Sequence, residues 1–175
     1  MITILSDDKT CELGQAIFDR VRKNNNNTNF FNLQDKNIKP CYACRGCEEK
    51  TYQRCIVRDD ADLLLPYIAQ SSILIAVMKI AYGSYSFQIK RVMDKFILIT
   101  DKHYRCKNGE LVKGLKPPGV RFYAVGVHDS ADKAEIQAFE QLVSETLNIV
   151  SWDGKSIVTS FSSYNLNEIY EEIMT

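Results

Sequence analysis

The sequence predicts an α/β domain: a doubly wound, five-stranded parallel sheet held between two layers of helices. Three observations predict it. Short apolar runs alternate along the chain with stretches of helical periodicity, the order that builds parallel sheets covered on both faces. One run, SSILIAVMK at 71–79, is continuously apolar and β-branched, as a strand buried on both faces requires. The 175 residues, 45% hydrophobic and 25% charged, suit one compact domain over residues 1–175 with a sizeable core.

The elements follow in order. ITIL is a first strand that ends in the polar SDDKT, and CELGQAIFDRVRK then places Leu13, Ile17 and Val21 on one helical face. NNNNTN is a loop and FFNL a second strand. After a cysteine-bearing segment, Asp59 and Asp60 stand where a helix cap belongs, and ADLLLPYIAQ follows as a helix that Pro66 bends or breaks. SSILIAVMK is the third strand, central at 73–78. AYGSYS is a loop, FQIKRVMDKFI a helix, and the basic TDKHYRCKNGELVKGLKPPG a loop or short hairpin. VRFYAVGV is the fourth strand. A long helix follows, capped by Ser130, then KSIVTSF as the fifth strand and NLNEIYEEIM as a closing helix. In such sheets ligands sit beyond the carboxyl ends of the strands, where the topology switches. Three polar loops leave strand ends here, at 6–10, 79–86 and 128–130, so the chemistry is expected among them.

The 22 Lys and Arg residues balance 22 Asp and Glu, so no overall field recruits nucleic acid or an anionic membrane. The stretch 90–121 is basic and the tail beyond Val127 mostly acidic, read as two differently solvated faces. No run is long enough to span a bilayer. The opening MITILSDDKT shows no basic leader before an apolar run, which points to a cytoplasmic protein. In a reducing compartment, six cysteines point to metal or redox chemistry more than to disulfides.

Four of them, Cys41, Cys44, Cys47 and Cys55, stand as C-x2-C-x2-C-x7-C within CYACRGCEEKTYQRC. Zinc favours two ligand pairs separated by a longer loop, each pair making its own knuckle. Three cysteines at x2 spacing with a fourth further on look more like the ligands of a cubane iron–sulfur cluster. Plain thiols, which behave as small hydrophobes, are the alternative, with zinc behind both. Cys11 and Cys106 are isolated and read as structural.

With loops and cysteines placed, the chain resembles the flavodoxin-like NAD(P)H-dependent FMN reductases, and more narrowly the iron–sulfur flavoproteins among them. The residues that carry the resemblance are LQDKNIKPCYACRGC, then Cys55 ahead of RDD, then KIAYGSYSFQIKRVMDK, in family order over residues 1–98. The resemblance implies a flavodoxin-like fold in three α/β/α layers, with FMN as cofactor. It implies electrons taken from NAD(P)H or a small electron carrier and passed to a flavin, quinone or protein acceptor. The flavin itself carries that chemistry, so no side chain need act as acid or base. It also implies a [4Fe–4S] cluster on Cys41, Cys44, Cys47 and Cys55, and a homodimer or higher homo-oligomer. The phosphate is expected at Ser6, Lys9, Thr10 and the amide of Cys11, at the start of the first helix. The ring is expected against Ile80, Ala81, Tyr82, Gly83 and Ser84, with Lys79 near its pyrimidine edge. His128 in the third loop is a further candidate contact, against a capping role.

Three features depart from the family pattern. Asp7 and Asp8 occupy a phosphate loop that the family builds from Gly, Ser and Arg, so each either repels a phosphate or turns away, into solvent or onto the helix as a cap. Lys79 replaces a proline, and Ala81 a tyrosine, with Tyr82 one position later. The acid pair also suits the receiver domains of two-component signalling, but those need an aspartate at the end of the third strand, where Met78 and Lys79 stand here. Asp7 and Asp8 favour a second reading, a flavodoxin-fold binding or sensor protein without flavin.

Overall fold

The computed structural model describes residues 1–101, 103–113, 119–130 and 132–175; the end of the expected basic loop at 114–118 lies outside the described residues. The chain runs through β1 (Ile2–Ser6), α1 (Cys11–Arg22), β2 (Thr28–Asn32), a short α2 (Gly46–Glu49), α3 (Ala61–Ala69), β3 (Ile73–Lys79) and α4 (Phe87–Met93). It continues through β4 (Arg105–Lys107), β5 (Glu110–Val112), β6 (Arg121–His128), α5 (Lys133–Val150), β7 (Asp153–Ser160) and α6 (Leu166–Met174). Five strands form a parallel sheet in the order β2-β1-β3-β6-β7, with β3 in the middle as the sequence predicts. The order reverses between β1 and β3, so the crevice for a ligand lies beyond their carboxyl ends.

Strand periodicity builds the two layers of core. Leu74, Ala76 and Met78 of β3 face α3, α4 and α5, while Ile73, Ile75 and Val77 face α1 and α6. Each large side chain buried there contributes about 1.5–3 kcal/mol by leaving water. Gly14 lets α1 press onto β1, because a Cβ there would lie 2.7 Å from the Cβ of Ser6. The second strand starts two residues before the expected FFNL and ends one residue sooner, at Asn32, whose side chain accepts from the Gln34 amide (3.0 Å) and opens a short 3-10 turn.

Several local expectations need correction. The cap of α5 is Asp132, whose carboxylate accepts from the Glu135 amide at 2.8 Å, and not Ser130. Helix α3 continues past Pro66 to Ala69 without the expected break. The helix expected over 87–97 stops at Met93, and a 3-10 turn covers Phe96–Leu98. The basic segment contains an antiparallel hairpin, β4 with β5, turning at Asn108 and Gly109, both at positive φ (54° and 84°) as a tight Asn-Gly turn demands.

Asp59 caps α3 as expected through the Ala61 amide (3.0 Å), and also accepts from the Lys39 amide (2.8 Å). Its remaining partner is Lys95, and both side chains are only 2% exposed. Burial alone would raise the Asp59 pKa; the hydrogen bond from Lys95 and those from the two amides outweigh it and leave it lowered. No helix of the described residues is long and apolar enough to cross a membrane.

Candidate functional site

At the carboxyl edge of the sheet the loops after β1, β3 and β6 enclose a cleft of about 440 Å³, within the usual range for a small-molecule site. Asp7, Asp8 and Lys9 come from the first loop, and Lys79, Ile80, Ala81, Tyr82, Ser86 and Phe87 from the second. His128, Asp129, Ser130 and, from α5, Glu135 complete it. The expected residues Lys9, Lys79, Ile80, Ala81, Tyr82 and His128 therefore meet at one cleft, whereas Ser6, Thr10, Cys11, Gly83 and Ser84 do not line it.

The reason lies in Asp7. Its side chain turns inward and is fully buried. Oδ1 accepts from the Lys9 amide (3.1 Å), the Thr10 amide (2.9 Å) and the Thr10 hydroxyl (2.7 Å), and Oδ2 accepts from the Lys79 amide (2.9 Å). The Thr10 hydroxyl also lies 2.9 Å from the carbonyl of Val77 and 3.2 Å from the hydroxyl of Ser6. Ser6 and Thr10 are thus held inside the loop, and of the groups expected to meet a phosphate, the amides of Lys9 and Thr10 and the Thr10 hydroxyl meet a carboxylate. Asp7 neither faces solvent nor caps α1 but folds back onto the turn just ahead of it, through the Lys9 and Thr10 amides; Asp8 is partly exposed, its amide donating to the Gln88 side chain (2.9 Å).

The second loop presents its aromatic face outward. Tyr82 is 96% exposed and sits at φ 53°, a left-handed conformation that costs a side-chain-bearing residue about 1–2 kcal/mol. Gly83 follows at φ 70°, and a Cβ there would lie 2.8 Å from the Cβ of Ala138. Its smallness therefore serves packing against α5 and not the approach of a ring. Ala81 and Ser84 close the turn with paired backbone bonds of 3.1 and 2.9 Å. Beyond it, the Ser86 hydroxyl is buried at the cleft without a hydrogen-bond partner, and Phe87 is 60% exposed beneath the Arg91 guanidinium. Ser86 and Ser130 lie in the polar loops where the chemistry was expected but were not singled out as contacts; Phe87 and Glu135 carried no signal.

Lys79 reaches across to Asp129 (2.8 Å). That hydrogen bond and the Asp129 charge raise the Lys79 pKa against a small opposing effect of burial, so it stays cationic through the physiological range.

The four motif cysteines border a second cavity, of about 580 Å³, between their own segment and the residues that follow α4. Cys41 and Cys44 are exposed, Cys47 and Cys55 half-buried, and all four are free thiols. Among the described residues no group of three or more His, Cys, Asp or Glu is placed to hold a metal ion, so the expected ligand set does not converge as folded. Burial pushes the Cys47 thiol up, and the nearby Glu48, Cys55 and Cys41 push it further. The segment holds Ala43, Arg45, Tyr52 and Gln53 at positive φ, between 40° and 58°, which is strain concentrated in a short loop.

An azoreductase structure superposes with a TM-score of 0.66 at 9% identity over 99% of this chain and 93% of its own. An FMN-dependent NADH-azoreductase from Bacillus anthracis, in complex with FMN, gives 0.63 at 14% identity over 98% and 93%. A Streptococcus pneumoniae flavodoxin gives 0.57 at 12% identity over 99% and 97%.

The fold is flavodoxin-like.

No family model matches the sequence. Among curated proteins, an iron–sulfur flavoprotein of Methanosarcina thermophila is 25% identical over 76 residues, covering 43% of this chain and 39% of that protein. One of Methanocaldococcus jannaschii is 32% identical over 68 residues, covering 39% and 34%. The resemblance read from the motifs is therefore present in the comparison by sequence, and the matched segments span well under half of those relatives' lengths.

Proposed function

We propose that this flavodoxin-like chain is a flavin-binding oxidoreductase, with the flavin ring in the cleft between the loops after β1, β3 and β6. The observation that carries the reading is the cleft's composition: exposed aromatic side chains of Tyr82 and Phe87, an unpartnered buried hydroxyl on Ser86, and a cation at Lys79 meet at the topological switch. An isoalloxazine has flat apolar faces and a polar pyrimidine edge, and those groups suit it. Support also comes from the names of relatives: flavoproteins by sequence, and an FMN complex by structure. The phosphate of FMN does not fit the loop as it stands, because Asp7 holds its donors.

A bound flavin would supply hydride and electron acceptance. The chain's own residues would then bind and tune. Tyr82 and Phe87 offer faces for stacking, Ser86 offers a hydrogen bond, and Lys79 with Asp129 sets the local charge. NAD(P)H or a small electron carrier is the proposed donor, and a flavin, quinone or protein the proposed acceptor. A single domain over 1–175, a cytoplasmic location and a homodimer belong to the same reading. Fluorescence titration with FMN and with riboflavin tests it. Quenching by either upholds the flavin cleft, and no binding of either overturns it in favour of a flavin-free binding or sensor protein, which the inward-turned Asp7 supports.

A [4Fe–4S] cluster on Cys41, Cys44, Cys47 and Cys55 is the second cofactor proposed; the names of the two curated relatives support it, and the sulfurs, which do not converge as folded, would have to draw together to hold it. Anaerobic reconstitution should yield about four irons per chain. Cys44→Ser should abolish them and leave flavin binding intact. A protein that takes up no iron carries plain thiols.

A further inference from the structure

We propose that the Asp7 carboxylate is a built-in anion that closes the phosphate end of the cleft, so that the site selects a flavin-like ligand without a terminal phosphate. This deepens the flavin reading of the cleft and rests on it for the ring. The closure itself rests on the loop alone.

Carboxylate and phosphate oxygens seek the same partners at a helix start: amide N–H groups and a nearby hydroxyl. Asp7 already has them. Its Oδ1 takes the amides of Lys9 and Thr10 (3.1 and 2.9 Å) and the Thr10 hydroxyl (2.7 Å), and its Oδ2 takes the Lys79 amide (2.9 Å). A phosphate entering here has to displace a fully buried carboxylate, which would then lose every one of those donors.

The rest of the wall does not compensate. Asp8, Asp129 and Glu135 line the cleft beside Asp7, against the ammonium groups of Lys9 and Lys79. Each ammonium group already faces an acid, Lys9 at 3.8 Å from Asp8 and Lys79 at 2.8 Å from Asp129. The local field thus opposes a dianion. A side chain that ends in a hydroxyl carries no charge and can donate to carboxylates, so the same wall receives it. Asp7 is in this sense a specificity-determining residue.

Fluorescence titration of riboflavin and FMN against the wild-type chain and Asp7→Ser tests the selection, and titration with inorganic phosphate, read from the amide resonances of Lys9 and Thr10, tests the closure without any flavin. The wild type should bind riboflavin about tenfold or more tightly than FMN, the scale of one charge-assisted hydrogen bond. Asp7→Ser should tighten FMN by a similar factor and leave riboflavin within about threefold. Phosphate should move the Lys9 and Thr10 resonances in Asp7→Ser and not in the wild type. A wild type that prefers FMN overturns the proposal, as does phosphate that moves those resonances in the wild type or in neither protein. If neither flavin binds, the flavin reading falls, and the phosphate titration alone decides the role of Asp7. Should Asp7→Ser not fold, Asp7→Asn carries both titrations, with shifts in the same direction but smaller.

Discussion

Replacing Lys95 with methionine should cost the fold about 3 kcal/mol, the lower end of the range for removing one partner of a buried ion pair. The methionine keeps much of the lysine stem's volume, so little of the loss comes from a cavity. What it removes is the ammonium group that faces Asp59, where both side chains are 2% exposed. Asp59 would keep the amides of Lys39 (2.8 Å) and Ala61 (3.0 Å), which still solvate the charge in part and place the cost nearer 3 than 5 kcal/mol. For a chain of this size that corresponds to a fall in Tm of about 6–12 °C. Thermal and urea unfolding followed by circular dichroism at pH 7 would measure it. Adding Asp59→Asn should recover part of the loss, because it removes the charge that needs a cation, although the single Oδ1 of Asn can keep only one of the two amides that Asp59 accepts on separate oxygens. A loss under about 1 kcal/mol, or a double variant no better than the single one, would refute the idea that an uncompensated charge is responsible.

The same pair gives a pH dependence: a lowered Asp59 pKa means stability that is present above the unfolded value of about 3.9 and lost as pH falls through the folded value. Urea midpoints of the wild type and of Lys95→Met/Asp59→Asn should therefore converge as pH drops from 5 toward 2, and parallel curves would count against it. Tyr82→Gly should stabilise the chain by up to about 1 kcal/mol through relief of the left-handed backbone, while weakening flavin binding about three- to tenfold through loss of stacking; both changes in the same direction would disprove one of the two roles. Gly83→Val should destabilise by about 2 kcal/mol or more, since its Cβ meets Ala138 at 2.8 Å and its φ is 70°, and normal stability would show that the loop does not pack on α5 as described. Lys79→Met should make the potential of a bound flavin more negative by removing a cation from the cleft, with dye-coupled reductive titration as the assay and an unchanged potential as the contrary result.

The fold was legible because burial on both faces leaves a strong mark: Ile73, Leu74, Ile75, Ala76, Val77 and Met78 have to be apolar together, and a strand so placed has to be central. The cleft was legible for a related reason, since polar loops at strand ends follow from the alternation of elements, and so Lys79 to Tyr82 and His128 were found. What was not legible depends on side-chain direction. Nothing in SDDKT distinguishes an aspartate facing a ligand from one folded back onto Thr10. Asp132 and Ser130 are both good caps, and only the trajectory of the chain after β6 chooses between them. Lys95 and Asp59 lie 36 residues apart, and a lysine inside a helical pattern ordinarily points to solvent. Convergence of four sulfurs likewise depends on how 48–54 folds back, which spacing permits without requiring.

Asp7 has one more consequence, which concerns how the protein is made. Three of its four hydrogen bonds fold the loop after β1 onto itself and the fourth, from the Lys79 amide, ties that loop to the end of β3, so the sheet edge at the cleft is cross-braced by the chain itself. Here newly synthesised chain should reach its final form in cells starved of flavin, and added ligand should stabilise it by mass action alone, about 2.7 kcal/mol at a hundredfold excess over Kd. Formation of the loop would then not wait on the ligand, and bound ligand would act only by adding to a stability already present.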